Sequence, residues 1–244
     1  MRRTPGRRNS CEFRYEDIMN HSGASDPVTD EYSRLAERYD RRWSVYIRAT
    51  VAETARRAAV CPGEAVLDVG CGTGALLRAI LDGTPGVTIA GIDPCGEMLA
   101  VARKKLPGGS DLRESGAESL PFPDGSFDVV VSTSAFHYFR APAAALVEMK
   151  RVLKPGGRIV ITDWCHDYFT CRACDFVLRR FNRAHYRTYR AAECRDLLAA
   201  AGFTATEVHQ YRISWFWGLM TARAGRDDEN SGLMNVGEQR REGF

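Results

Sequence analysis

Between residues 64 and 164 the chain repeats one alternation, a continuous apolar run followed by a stretch with helical spacing. "EAVLDVG" (64–70) leads into "ALLRAILD" (75–82), and "GVTIAGID" (86–93) into "EMLAVARKK" (97–105). "FDVVVST" (127–133) leads into "AAALVEMKRVL" (143–153), and "GRIVITDW" (157–164) is a fourth run. The runs are apolar at successive positions, not at every second one, as in strands covered on both faces. Strands of that kind joined by helices form a parallel sheet, so the expected class is α/β, doubly wound and mostly parallel. A longer helical stretch and "CRDLLAAAGF" (194–203) follow, and then two consecutive strand-like runs, "TATEVHQY" (204–211) and "ISWFWGLMTA" (213–222). With no helix between them, these two need an antiparallel partner, expected as an edge strand. In such a sheet ligands sit outside the carboxyl ends of the strands.

The alternation assigns residues 28–224 to one domain, long enough for a substantial core. Residues 1–27 and 225–244 are polar, lack periodicity and are expected to be disordered tails. Five arginines stand against one glutamate in residues 1–14, so the net charge of +3 belongs to that tail and the rest is close to neutral. A nucleic-acid-binding face is therefore not expected. No run nears the roughly 18 apolar residues of a membrane helix, and the N-terminus lacks the apolar core of an export signal. Eight scattered cysteines in such a chain are expected as reduced thiols in the cytoplasm. The expected partner is a small molecule, with no nucleic acid, no membrane and no metal.

The first strand runs into a glycine turn, "VLDVGCGTG" (66–74). Gly70-Cys71-Gly72-Thr73-Gly74-Ala75 fits the dinucleotide pattern G-x-G-x-x-G/A, with Asp93 closing the next strand. Asp68 decides against that reading. A pyrophosphate seeks backbone N–H groups and a helix N-terminus, and a carboxylate two residues before the first glycine repels it. The same carboxylate suits a ligand with an ammonium group. S-adenosylmethionine carries one, beside a sulfonium and a ribose-adenine body. Asp93 can accept hydrogen bonds from two vicinal ribose hydroxyls, and the glycines let the backbone approach closely.

Five motifs in order carry a resemblance. "VLDVGCGTG" (66–74), "GIDPCGEML" (91–99), "GAESLPFPDGSFDVVVSTSAFHYF" (116–139, two motifs) and "EMKRVLKPGGRIVITDW" (148–164) together resemble the class I S-adenosylmethionine-dependent methyltransferases. The pattern is most similar to the small-molecule group that includes ubiquinone and menaquinone C-methyltransferases, and it runs from about Tyr32 to Ala222. The resemblance implies a seven-stranded Rossmann-like sheet, S-adenosylmethionine as cofactor and methyl transfer as the activity. It implies that Asp68 orients the methionine amino end, with the Gly70–Gly74 backbone, Cys71, Gly72 and Thr73 included, along the carboxypropyl chain. Asp93 then holds the ribose, Pro94 and Met98 pack near the adenine, and Ala117 and Glu118 border its edge. Ser134 lies near the methionine part, and Tyr39, in "EYSRLAERYDRRW" (31–43), folds over the cofactor. Many relatives carry an aspartate where this chain has Gly116, so the backbone is expected to read the adenine here.

His137, just past the third run, is the candidate general base; the alternative is a loop histidine bonded to backbone. Methyl transfer from a sulfonium needs a base only when the acceptor must lose a proton, and positioning alone supplies much of the rate. Residues 165–190 form an insert rich in Arg, Tyr and His, read either as a substrate lid or as a solvated amphipathic helix. Within it Cys171, Cys174, Val177, Leu178 and Phe181 fall on one helical stripe, which is expected to be buried. That placing makes the cysteines small hydrophobes and not metal ligands. Three other classes share parts of this pattern. An NAD-dependent oxidoreductase is disfavoured by Asp68 and by the lack of a second catalytic domain. A non-catalytic S-adenosylmethionine-binding module would keep the same cofactor motifs. An RNA or protein methyltransferase is the third, but the Asn-Pro-Pro-aromatic strand end typical of amino-group methylation of bases is replaced here by Ser134-Ala135-Phe136-His137.

Overall fold

The computed structural model describes residues 26–182 and 185–227. Strands β1 (Ala65–Val69), β2 (Thr88–Asp93), β3 (Asp111–Glu114), β4 (Phe127–Thr133), β5 (Leu153–Trp164), β6 (Thr204–Arg212) and β7 (Gly218–Gly225) form one sheet. Their order is β3-β2-β1-β4-β5-β7-β6. Strands β1 to β5 pair in parallel. Strand β7 runs antiparallel to both β5 and β6, so the antiparallel strand lies one place in, and the β7–β6 pair forms that edge. The chain winds outward in one direction from β1 and in the other from β4. A crevice therefore opens at the carboxyl ends of those two neighbours.

Among the described residues seven helices cover the sheet: α1 (Pro27–Arg42), α2 (Ser44–Ala58), α3 (Ala75–Gly83), α4 (Gly96–Lys105), α5 (Pro142–Val152), α6 (Phe169–Phe181) and α7 (Ala191–Ala200). Successive strand residues face opposite layers. Leu67, Val130, Ile159 and Ile161 join the cluster under α5 and α7, which supply Leu146, Met149 and Leu198. Val66, Val129, Val131 and Val160 join the cluster under α2 and α3, built on Ala58, Leu76 and Ile80. Two-sided burial is why the runs read as continuous rather than alternating. A chain of hydroxyls crosses this second layer. Thr133 Oγ1 donates to Thr54 Oγ1 (3.0 Å), which donates to Thr162 Oγ1 (2.8 Å). Thr162 pairs with Thr221 (2.9 Å), and Thr221 with the Tyr211 hydroxyl (2.9 Å).

The structure departs from the sequence expectations in four places. The run "ISWFWGLMTA" is not one strand, because Ser214 Oγ accepts from the N–H groups of Phe216 (3.2 Å) and Trp217 (3.0 Å). That local side-chain turn competes with the ladder, so residues 213–217 connect and β7 begins at Gly218. The short strand β3 and the helix α2 were not expected as elements. The outer bounds also move. Asp26 caps α1 by accepting from Val28 N (3.1 Å) and pairs with Arg140 at 3.0 Å. Arg226 donates to the carbonyls of Lys150 (2.9 Å), Arg151 (3.2 Å) and Leu153 (2.5 Å). Both residues belong to the packed body, so the tails expected over 1–27 and 225–244 shorten at their inner ends, and the rest of them, 1–25 and 228–244, lies outside the described residues. Finally, α6 is rotated relative to the expected stripe. Cys171 and Asp175 are buried and Cys174 and Leu178 half-buried, while Val177 and Phe181 face outward. The cause is Asp175, drawn inward by His185 Nε2 (2.8 Å) and by Thr188 N–H (2.8 Å), which donates to it.

Candidate active site

Beyond Val69 the backbone turns sharply. The N–H groups of Gly70 and Cys71 both donate to the Ile92 carbonyl at 2.8 Å, and Gly74 N–H closes the turn on the Cys71 carbonyl at 2.9 Å. Gly70 has φ 78° and Gly72 φ 51°, the left-handed region that favours glycine. A Cβ on Gly70 would stand 2.5 Å from the Ala135 Cβ, so only glycine lets this turn lie against the end of β4. Ala75 and Leu76, at the start of α3, line the crevice.

Two carboxylates flank the turn. Asp68 is 2% exposed, and its Oδ1 has no hydrogen-bond partner. Burial first, and the charge of Asp93 second, push its pKa up to about 8. Asp93 accepts from Gly72 N–H at Oδ2 and from Cys95 N–H at Oδ1, both at 2.9 Å. Burial pushes its pKa up to about 6 against the pull of those two donors. A buried acid left without a donor is costly, and its natural complement is a cationic group. The residues therefore fit a ligand with an ammonium at one end and hydroxyls at the other.

Most of the residues singled out from sequence line one cleft around these acids. Gly70, Cys71, Gly72 and Thr73 form one rim, with Asp93, Pro94 and Met98 beside them. Ala117 and Glu118 border it from the loop after β3, where Glu118 is fixed by accepting from Ala141 N–H (3.2 Å). Ser134 lines the opposite rim in a left-handed conformation, φ 56°. Tyr39 closes the cleft from α1, and burial pushes its pKa up to about 12. Gly74 does not line it. A Cβ there would meet Leu106 at 3.0 Å, so this glycine allows α3 to pack on α4.

His137 does not line the cleft either. It is 3% exposed, in the 3₁₀ turn Phe136–Tyr138, with its ring 4.0 Å from that of Tyr138, which does line it. Its Nδ1 lies 2.7 Å from Asp163 Oδ1, and its backbone N–H donates to Asp163 Oδ2 at 2.9 Å. A carboxylate at Nδ1 places the proton there and leaves Nε2 as an acceptor. Nε2 is buried and has no partner. The ring stacks on Trp164 at 5.1 Å, and His185 stands 5.4 Å away.

Sequence reasoning missed the far wall of the cleft. Tyr46 of α2 joins Ser134 Oγ at 2.8 Å and accepts from Trp164 Nε1 at 2.7 Å, and Trp217 packs on its ring at 5.3 Å. Asp40 was missed as well. It accepts from Thr73 Oγ1 at 2.6 Å and pairs with Lys105. Asp163 did carry a signal, an acid at the end of an apolar run, just as Asp68 does.

A family model described as a methyltransferase domain matches residues 67–161. A demethylmenaquinone methyltransferase of Tropheryma whipplei (strain Twist) is 32% identical over 179 residues, which cover 71% of this chain and 69% of the relative. A ubiquinone/menaquinone biosynthesis C-methyltransferase of Shewanella halifaxensis is 33% identical over 64% of this chain and 66% of its own. Among solved structures, the 1,6-didemethyltoxoflavin-N1-methyltransferase of Burkholderia thailandensis, with S-adenosylhomocysteine bound, superposes with a TM-score of 0.64. It is 17% identical over 84% of this chain and 92% of that one, a likeness of fold. The chain therefore belongs to the class I S-adenosylmethionine-dependent methyltransferases, similar to the demethylmenaquinone and ubiquinone/menaquinone biosynthesis enzymes, and S-adenosylmethionine is its cofactor.

Proposed function

We propose that this chain works in the cytoplasm, methylating a small-molecule acceptor that enters beside Tyr46 and Ser134. The observation that carries the cofactor end of the reading is the unpartnered carboxyl of Asp68 inside the glycine-turned cleft. Asp68 takes the ammonium, and the backbone from Gly70 to Thr73 runs beside the amino-acid part. Asp93 offers its remaining lone pairs to the ribose hydroxyls while Gly72 and Cys95 hold it in place. Pro94, Met98, Ala117 and Glu118 enclose the adenine. When bound, S-adenosylmethionine supplies a methyl group on a positively charged sulfur. Tyr39, Tyr46 and Tyr138 exclude water from the cleft they line. His137, oriented by Asp163, accepts a proton at Nε2 from an acceptor that must lose one. Reaching Nε2 requires Tyr138 to move aside.

Calorimetry with S-adenosylhomocysteine tests the reading. An ammonium beside Asp68 favours the ionised carboxylate, so binding at pH 7 releases a proton from a group whose pKa is about 8 without ligand. The measured heat should then vary with the ionisation heat of the buffer, and affinity should rise with pH toward 8. A buffer-independent heat, or saturable binding of NAD, would defeat the assignment. With a panel of phenols, quinols, amines and thiols as acceptors, His137→Ala should lower turnover on the order of 10²–10⁴-fold and leave cofactor affinity intact. Full activity in that variant would remove His137 from the chemistry.

A further inference from the structure

Helix α6 is apolar on both sides. The inner side carries Cys171, Cys174 and Leu178 against the fold. On the outer side Phe169, Phe176 and Phe181 are 77%, 76% and 82% exposed, with Val177 between them also exposed. Trp215, in the β6–β7 connection, is 80% exposed. Thr170 Oγ1 donates to the Phe216 carbonyl at 2.6 Å, tying the start of α6 to that connection. Arg172, Arg179 and Arg180 are exposed on the same helix. Its one acid, Asp175, is buried against His185 and Thr188, and Arg179 reaches it only at 3.9 Å. Arg212, exposed at the end of β6, lies over the Tyr168 ring just before α6.

We propose that the outer face of α6, together with Trp215, docks this protein on the surface of an anionic phospholipid bilayer. The charge is complementary: the outward residues of α6 include three arginines and no acid. The four aromatic rings that are more than three-quarters exposed, those of Phe169, Phe176, Phe181 and Trp215, stand out from the fold. A protein partner needs a matching hollow for each ring to pack at interior density, whereas the boundary between headgroups and acyl chains accepts any protruding outline. Phenylalanine and tryptophan settle at that depth, and arginine stems extend back to the phosphates. Among the described residues no helix is long and apolar enough to cross a membrane, so the contact is lateral. The surface adjoins the acceptor side of the cleft, since Trp217 in the same connection packs on Tyr46 and on Trp164. The inference stands whether or not the methyl-transfer roles assigned above hold.

Co-sedimentation of the full chain with vesicles tests it, using equal parts phosphatidylglycerol and phosphatidylcholine, against phosphatidylcholine alone. The protein should sediment with the anionic vesicles at least about tenfold more strongly, and raised salt should weaken that binding. The triple variant F169S/F176S/F181S, and separately R172E/R179E/R180E, should each reduce binding by about tenfold or more at an unchanged melting temperature. A blue shift of tryptophan emission on adding anionic vesicles should disappear in Trp215→Phe, a reading that does not depend on the multiple variants folding. Three results would overturn the proposal. One is no sedimentation with anionic vesicles, and another is equal binding by wild type and both triple variants. The third is a dimer in analytical ultracentrifugation abolished by the phenylalanine substitutions, which would make a second copy the partner.

Discussion

The carboxyl of Asp68 sits where water does not reach and where no donor answers one of its oxygens. Its folded pKa of about 8 lies above the unfolded value of roughly 3.9. The folded chain without ligand therefore binds more protons than the unfolded chain between those two values. Its stability is full below pH 4 as far as this group goes, and it falls as pH rises toward 8. Asp68→Asn removes that loss. The ligand-free variant should melt at the wild-type temperature or higher at pH 8, yet bind S-adenosylhomocysteine at least about tenfold more weakly. Asp93→Ala should behave differently. It strips Gly72 and Cys95 of their charged acceptor, at about 1.5–3 kcal/mol per bond, so melting temperature and affinity should fall together. Unchanged calorimetric affinity in either variant would contradict its role. Both acids were legible because a carboxylate among apolar strand residues demands a reason. Tyr46 and Asp40 were not, since their meaning arises only when α1 and α2 fold across the strand ends.

The elements follow the same logic of visibility. Strands β1, β2, β4 and β5 could be read because both faces are buried, which leaves no polar break in the run. Strand β3 could not: among its four residues only Leu112 is buried, and Asp111, Arg113 and Glu114 read as loop. Helix α2 hides its packing behind polar residues, since Thr50 and Thr54 are buried and satisfied by hydrogen bonds instead of by apolar contact. The end of β7 was misjudged because Arg226 looks like the start of a charged tail. Its guanidinium instead gathers three carbonyls where α5 passes into β5. Arg226→Ala should cost about 2 kcal/mol or more, several degrees of melting temperature for a domain of this size. A chain ending at Gly225 should melt correspondingly lower than one ending at Asp227, and equal melting of the two would show that these bonds contribute nothing.

At the scale of the molecule, the sheet and the seven helices divide into a body with a two-sided core and a strap, α1, laid across the cleft. The strap is fastened to both rims. Tyr32 donates to the Tyr138 hydroxyl at 2.9 Å, and Asp40 accepts from Thr73. On α4 it is held by the exposed pair Glu37–Lys104 and by a small cluster of Cys95, Met98 and Val101. Only Ala36 of its sixteen residues is buried, so its local stability is far below that of the sheet. Exchange of spent for fresh cofactor is then expected to be gated by release of the strap about the break at Trp43. In stopped-flow mixing the observed binding rate should level off as cofactor concentration rises. Asp40→Ala should speed dissociation of S-adenosylhomocysteine several-fold, and an unaltered off-rate would show that the strap does not gate the exit. Where the strap is the slow step, quickening the chemistry leaves throughput unchanged, and the enzyme keeps time by its hinge.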